Sequence, residues 1–98
     1  MSRLHTVNKT TETSQALEDC LRLAAPGDAL LLLEDGVYAA TSGDLPRRCG
    51  ELGLKLYALA VDVEARGLGQ HLAEGVAIVD ETGFVQLCCE ADDVSSWF

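Results

Sequence analysis

Cysteine side chains are the groups in this sequence best suited to covalent chemistry, and there are four of them: Cys20, Cys49, Cys88 and Cys89. A thiolate can accept a sulfane sulfur as a persulfide and lose it to an attacking thiolate, provided that its pKa is lowered and it can be approached. The four positions follow no regular spacing and include no CxxC pair, and no apolar signal-peptide segment is seen near the N-terminus. We therefore expect reduced thiols, with neither disulfides nor a metal site.

Cys20 is the cysteine whose surroundings are easiest to interpret. It falls on an apolar stripe with Leu17 and Leu21, a spacing that favours a packed thiol on the inner face of a helix. The neighbouring Glu18 and Asp19 would disfavour a thiolate. Two interpretations stay open: Cys20 packs in the core, or it carries sulfur.

The other three cysteines show weaker signals. Cys88 shares one face of a predicted helix with Phe84, so we expect it in the core. Cys49 and Cys89 are expected to be partly exposed, and no neighbouring group would activate either thiol.

The sequence lacks the common motifs of nucleotide binding and serine hydrolysis. The stretch Gly67–Leu72 has only the first two glycines of a dinucleotide fingerprint, and neither a Walker A motif nor a GxSxG motif occurs. We therefore expect no bound cofactor. His5 is interpreted as a strand histidine hydrogen-bonded to its neighbours, with a catalytic base as the alternative, and His71 is expected to face solvent.

Asp35 and Gly36 follow an apolar run that ends where ligands of parallel sheets usually bind. Direct ligand contact is one interpretation of this pair. In the other, Asp35 caps the next helix and Gly36 permits a turn.

Elements able to position these residues alternate along the chain as strand and helix. An apolar run between Pro26-Gly27 and Glu34 predicts a central parallel strand. Asp62 and Asp80 are predicted helix caps. The predicted strands are 4–7, 28–33, 55–60, 76–79 and 94–98, and the predicted helices are 13–24, a short one after 35, 45–52, 63–66 and 80–90. This alternation indicates an α/β fold, an open and mainly parallel sheet flanked by helices.

Length and charge bound the function classes. The 98 residues predict one domain over 1–98, and 16 acidic against seven basic residues leave a net charge of −9. Direct binding to nucleic acid or to an anionic membrane is therefore disfavoured. The longest apolar run falls far short of the ~20 residues needed to cross a membrane, so we expect a cytoplasmic protein.

Several strings of the sequence resemble one family along the full length of the chain. They are Leu4–Lys9, Gly27–Ala40, Leu56–Leu59 with Asp62 and Ala65–Leu68, and Asp80 through Phe84–Leu87 with Ser96–Phe98. In this order and spacing they are similar to the TusB/DsrH family. The resemblance implies the DsrE/DsrF-like α/β fold.

The resemblance also implies a role and partners. Members are subunits of a sulfur-relay complex, a hexamer with two copies each of this subunit and of its TusC/DsrF-like and TusD/DsrE-like sisters, which passes sulfur to a downstream acceptor protein. The relay serves either 2-thiouridine synthesis at the tRNA wobble position or sulfur oxidation, and the principal sulfur-carrying cysteine lies in the TusD/DsrE-like sister. DsrH-type members look similar in having a cysteine where Cys20 stands, so an auxiliary persulfide role for Cys20 remains open beside a docking role for the chain.

Candidate interface residues follow from the same interpretation. Aromatic side chains are enriched at the centres of interfaces, which makes Trp97 and Phe98 candidate anchors, with capping of the core as the alternative. Asp35, Gly36 and Tyr38 are the other interface candidates. A third possibility for the whole chain is a stand-alone small-molecule-binding domain that uses the Asp35-Gly36 turn.

Overall fold

The computed structural model describes residues 2–98 and contains five strands and five helical segments, with one helical segment between consecutive strands except between the second and the third, which are joined by two. The strands are β1 (Arg3–Val7), β2 (Ala29–Leu32), β3 (Lys55–Leu59), β4 (Ala77–Val79) and β5 (Asp93–Trp97). The α-helices are α1 (Ala16–Leu23), α2 (Asp44–Leu52), α3 (Ala60–Ala65) and α4 (Glu81–Glu90), and a 3-10 helix (Glu34–Thr41) follows β2.

All five strands join one sheet in the order β4-β3-β2-β1-β5. Every neighbouring pair is parallel. β2 is the central strand, and Leu30, Leu31 and Leu32 are fully buried because helices cover both faces of the sheet there. The predicted open sheet flanked by helices is confirmed, and the sheet is wholly parallel.

The two faces of the sheet are covered unequally. One face carries α1, the 3-10 helix, α2 and α3, which bury one large core cluster against the sheet. The other face carries α4, whose Phe84, Leu87 and Cys88 pack on Leu4 and Leu31. No residue of α4 is fully buried. The well-packed core therefore lies on the α1 side.

One of the predicted helix caps is confirmed. The Asp80 carboxylate accepts a hydrogen bond from the Gly83 N–H at 2.8 Å, as an N-cap does. The caps predicted at Asp35 and Asp62 are wrong, since their helices begin earlier, at Glu34 and Ala60, and neither start has a side-chain cap. The chain passes from β3 into α3 with no intervening loop, which leaves Asp62 inside the first turn.

Asp62 instead supports the turn after β2. Its carboxylate accepts a hydrogen bond from the Glu34 N–H at 2.7 Å. Glu34 has a φ of 48°, a left-handed conformation that costs a residue other than glycine about 1–2 kcal/mol. The Asp62 bond therefore holds a strained residue at the carboxyl end of β2.

Candidate functional site

Cys20 lies on the inner face of α1, in contact with the large core cluster, and its exposed fraction is 0%. Burial, with smaller contributions from the nearby Cys49 and Asp28, raises the pKa of this thiol to about 12. At neutral pH only on the order of one thiol in 10⁵ would be a thiolate. In this conformation Cys20 is a packed side chain.

Cys49 lies on α2 and belongs to the same core cluster as Cys20. The expectation that it is partly exposed is wrong, because only 1% of its surface reaches solvent. Leu45 and Cys49 stand four residues apart, so both fall on the inner face of α2. Burial raises the pKa of the Cys49 thiol, and the Arg48 guanidinium partly offsets this effect.

An ion pair joins the two helices that carry these thiols. Arg48 on α2 donates two hydrogen bonds to the Glu18 carboxylate on α1, at 2.7 and 2.8 Å. The pairing lowers the pKa of Glu18 and raises that of Arg48. Such a bidentate pair fixes geometry as well as charge.

A groove runs between α1 and α2 on both sides of this ion pair. On one side is a cavity of about 500 Å³, lined by Thr10, Leu17, Tyr38, Leu45 and others, with Glu18 and Arg48 at its wall. On the other side is a shallower depression of about 230 Å³, lined by Leu21, Leu52 and the same two charged residues. The Glu18–Arg48 pair therefore spans the groove and separates its two cavities.

Cys88 and Cys89 lie on the opposite face of the sheet, on α4. Cys88 is half-buried against the sheet, which meets the expectation of a core position only in part, while Cys89 is exposed as expected. The four cysteines thus form two separate pairs. The structure brings Cys20 and Cys49 together in one core and leaves Cys88 and Cys89 apart from them.

Asp35, Gly36 and Tyr38 lie on the 3-10 helix at the carboxyl end of the sheet. The Asp35 carboxylate pairs with Arg66 at 2.9 Å. Gly36 is buried against the Val7 backbone, so it offers no surface. Tyr38 is exposed and lines the 500 Å³ cavity.

A buried polar network that the sequence interpretation missed joins His5, Asp28 and Trp97. The Trp97 Nε1–H donates to His5 Nδ1 at 3.0 Å, so neutral His5 carries its proton on Nε2 and donates it to the Asp28 carboxylate at 2.9 Å. Asp28 also accepts hydrogen bonds from the Ala25 and Arg3 N–H groups. His5 is thus a hydrogen-bonded strand histidine. His71 is exposed, as predicted.

The same contacts affect the charge of Asp28. Burial favours a raised pKa, but the hydrogen bonds from Ala25, His5 and Arg3 outweigh it and hold the pKa of Asp28 below its usual value. In the sequence, Asp28 stands at the start of a strand predicted to be covered on both faces, and this position could have indicated that the carboxylate is buried and hydrogen-bonded.

The two C-terminal aromatic residues differ in exposure. Trp97 is half-buried, packs against the large core cluster and is held by His5. Phe98 is 80% exposed. Within residues 2–98 no group of three or more metal-ligating side chains comes together, and none of the helices described there is long and apolar enough to span a membrane.

The fold and the site define a class of small α/β domain with a wholly parallel five-stranded sheet. The crystal structure of the ychN protein from E. coli has this fold, with a TM-score of 0.78 over 98% of this chain and 99% of that one. At 19% identity the likeness concerns the fold alone.

Sequence comparison identifies the family within that class. Residues 9–94 match the family model described as DsrH like protein, and the chain belongs to this family. Protein TusB of Pectobacterium parmentieri is 39% identical over 95 residues, which cover 96% of this chain and 99% of the relative. Protein TusB of Sodalis glossinidius is 44% identical over 79 residues, 79% of this chain and 82% of the relative.

Proposed function

We propose that this chain is a docking subunit of a sulfur relay that leads to tRNA thiolation. The observation that carries this proposal is its similarity to TusB proteins over nearly its whole length. In the proposed assembly it joins two homologous sister subunits in a hexamer with two copies of each. A sister subunit carries the principal reactive cysteine, and a downstream protein accepts the sulfur.

Burial of the thiols supports a docking role. A relay cysteine needs a thiolate that a donor can reach, whereas Cys20 and Cys49 are enclosed and have raised pKa values. Apolar side chains such as Ile78, Val85 and Phe98 are exposed on β4, α4 and the end of the chain. Surface of this kind suits subunit contacts.

A second candidate function is auxiliary sulfur carriage by Cys20. The Cys20 thiolate would attack the terminal sulfur of a donor persulfide R–S–SH, form a new S–S bond, and release the donor as the thiolate RS⁻. No net oxidation occurs, because one S–S bond replaces another. The α1–α2 groove favours this candidate, because its two cavities are lined by Leu17 and Leu21 respectively, the neighbours of Cys20 on the inner face of α1.

Two further alternatives receive less support. The same transfer chemistry would serve sulfur oxidation if the acceptor belonged to that process. A stand-alone small-molecule site on Asp35 and Gly36 is disfavoured, because the first is paired with Arg66 and the second is covered by Val7.

Co-expression tests the docking proposal. The chain, produced with its two sister subunits, should elute from a sizing column as a complex larger than a heterotrimer. Phe98→Ala should reduce the recovered complex, while Leu23→Ala, a similarly exposed apolar residue at the end of α1, should not. A wild-type chain that stays monomeric and retains neither sister would overturn the proposal.

Mass spectrometry separates the two candidate functions. The assembled complex is incubated with a persulfide donor, and each cysteine peptide is examined for the added mass of one sulfur. A sulfur on the Cys20 peptide that is lost in Cys20→Ser, with assembly preserved, would establish auxiliary carriage. Sulfur confined to a sister subunit would leave Cys20 a packing residue.

A further inference from the structure

Cys20 and Cys49 are almost fully buried, so a reagent can reach their thiols only if part of the surrounding structure opens. Cys20 on α1 and Cys49 on α2 lie in one core cluster on the sheet, which also contains Val37 of the 3-10 helix and Val63 of α3. The groove between α1 and α2 already approaches the thiols, because Leu17 and Leu45 line its cavity and stand one helical turn before Cys20 and Cys49. Neither thiol lines the groove itself, so an entrance through it would pass between these leucines.

Within residues 2–98, the Glu18–Arg48 pair provides the only side-chain hydrogen bonds that join α1 to α2. Its two side chains are 40% and 33% exposed, so they can reorganise into solvent. Losing a partly exposed pair of this kind shifts an equilibrium by about fivefold, far less than global unfolding requires. Separating the pair would join the cavities on its two sides.

We propose that the α1–α2 groove is the entrance to the Cys20 and Cys49 thiols and that the Glu18–Arg48 ion pair is the gate that closes it. The occupant that the proposed function supplies is a sulfane-sulfur group, a persulfide, and Arg48 is, among residues 2–98, the one basic residue that lines the larger cavity, beside the carboxylates of Glu12, Glu18 and Asp44. The identity of this occupant rests on the proposed function. The gate does not depend on the proposed function, because access to the two thiols can be measured with any thiol reagent.

Alkylation of the full chain by iodoacetamide, followed by peptide mass spectrometry, tests the gate. In Arg48→Ala the rate at Cys20, relative to that at the exposed Cys89, should rise about fivefold, as loss of a bidentate ion pair implies. Arg47→Ala is the matched control. Its neighbouring guanidinium pairs only within α2, with Asp44 and Glu51, and its loss should leave the ratio unchanged.

A second variant and a stability measurement exclude general loosening. Glu18→Gln keeps the shape of the side chain and should open the gate as Arg48→Ala does. The free energy of unfolding is measured for each variant in urea. If the alkylation rate of Cys20 is unchanged in both variants, the gate is overturned. It is also overturned if the increase in that rate only parallels the loss of unfolding free energy. A gate confirmed here with no sulfur later found on Cys20 would count against sulfur carriage alone.

Discussion

Asp28 is the buried carboxylate on which the His5–Trp97 contact depends. Asp28→Asn removes its charge and should lower the free energy of unfolding by about 2–4 kcal/mol at pH 7, the cost of breaking a buried charged hydrogen-bond network. Urea unfolding followed by the fluorescence of Trp97, the one tryptophan of the sequence, measures this. Asp19→Asn, at an exposed site, should cost less than about 0.5 kcal/mol.

The same variant predicts a pH dependence. Because the pKa of Asp28 is lower in the folded protein than in the unfolded chain, its stabilisation is present above the usual carboxyl pKa near 4 and disappears as the pH falls through the lowered value. The stability difference between wild type and Asp28→Asn should therefore stay constant from pH 7 to about pH 5 and shrink as the pH is lowered further towards 3. A difference that stayed constant all the way to pH 3 would contradict the assigned role of the charge.

Sequence patterns predicted the burial of some residues but not the contacts between residues far apart in the chain. The inner position of Cys20 followed from its spacing with Leu17 and Leu21, and helix periodicity alone was enough. The contact between Asp28 and His5 joins residues 23 apart, one just before β2 and one in β1, and no local pattern encodes it. Cys49 was misjudged, although its spacing of four residues from Leu45 within the predicted helix 45–52 indicated burial.

Gly36 fixes the position of the 3-10 helix against β1. A Cβ atom at this position would lie 2.1 Å from the Val7 carbonyl oxygen, which is backbone and cannot rotate away. Gly36→Ala should therefore destabilise the fold by about 3 kcal/mol or more. Thermal unfolding by circular dichroism measures the effect.

Gly50 provides the control for that substitution. It lies within α2, and a Cβ atom added there would meet no atom from outside that helix within 4 Å. Gly50→Ala should therefore stabilise the protein by about 0.5–1 kcal/mol, because alanine loses less backbone freedom in a helix than glycine does. Equal effects at the two glycines would refute the close approach at Gly36.

At the level of elements, the sequence predicted every strand and most helices within a few residues. Apolar runs and capping residues are local signals, so they indicate where elements lie. The strand order and the starts of the 3-10 helix and α3 depend on contacts across the sheet, such as that from Asp62 to Glu34. These contacts explain why the 3-10 helix and α3 begin earlier than the predicted caps, Asp35 and Asp62, indicated.

The charge of the whole molecule argues against direct contact with tRNA. All five arginines form ion pairs with carboxylates in the described part of the chain, which leaves Lys9 and Lys55 as its unpaired basic side chains. Arg47 and Arg48, the one adjacent basic pair, are both neutralised. With a net charge of −9, the surface should repel a phosphate backbone.

Filter binding with the isolated chain should therefore detect no tRNA complex at physiological salt. Lowering the salt should not reveal the steep gain in affinity that follows from counterion release. A chain with Asp44→Lys and Glu51→Lys, which frees Arg47 and adds positive charge, serves as the positive comparison and should gain salt-sensitive binding. Micromolar, salt-sensitive binding by the wild type would contradict this prediction.

The pairing of β1 with β5 has a consequence for how the protein folds. Hydrogen bonds such as that between Thr6 and Ser96 close a loop of 90 residues, so the pairing of β5 carries the loop-closure entropy of nearly the whole chain and is expected to form late. Until then β1 exposes an unpaired edge to other molecules. Refolding should be slow for a chain of this size, and its early intermediates are the species most prone to aggregate.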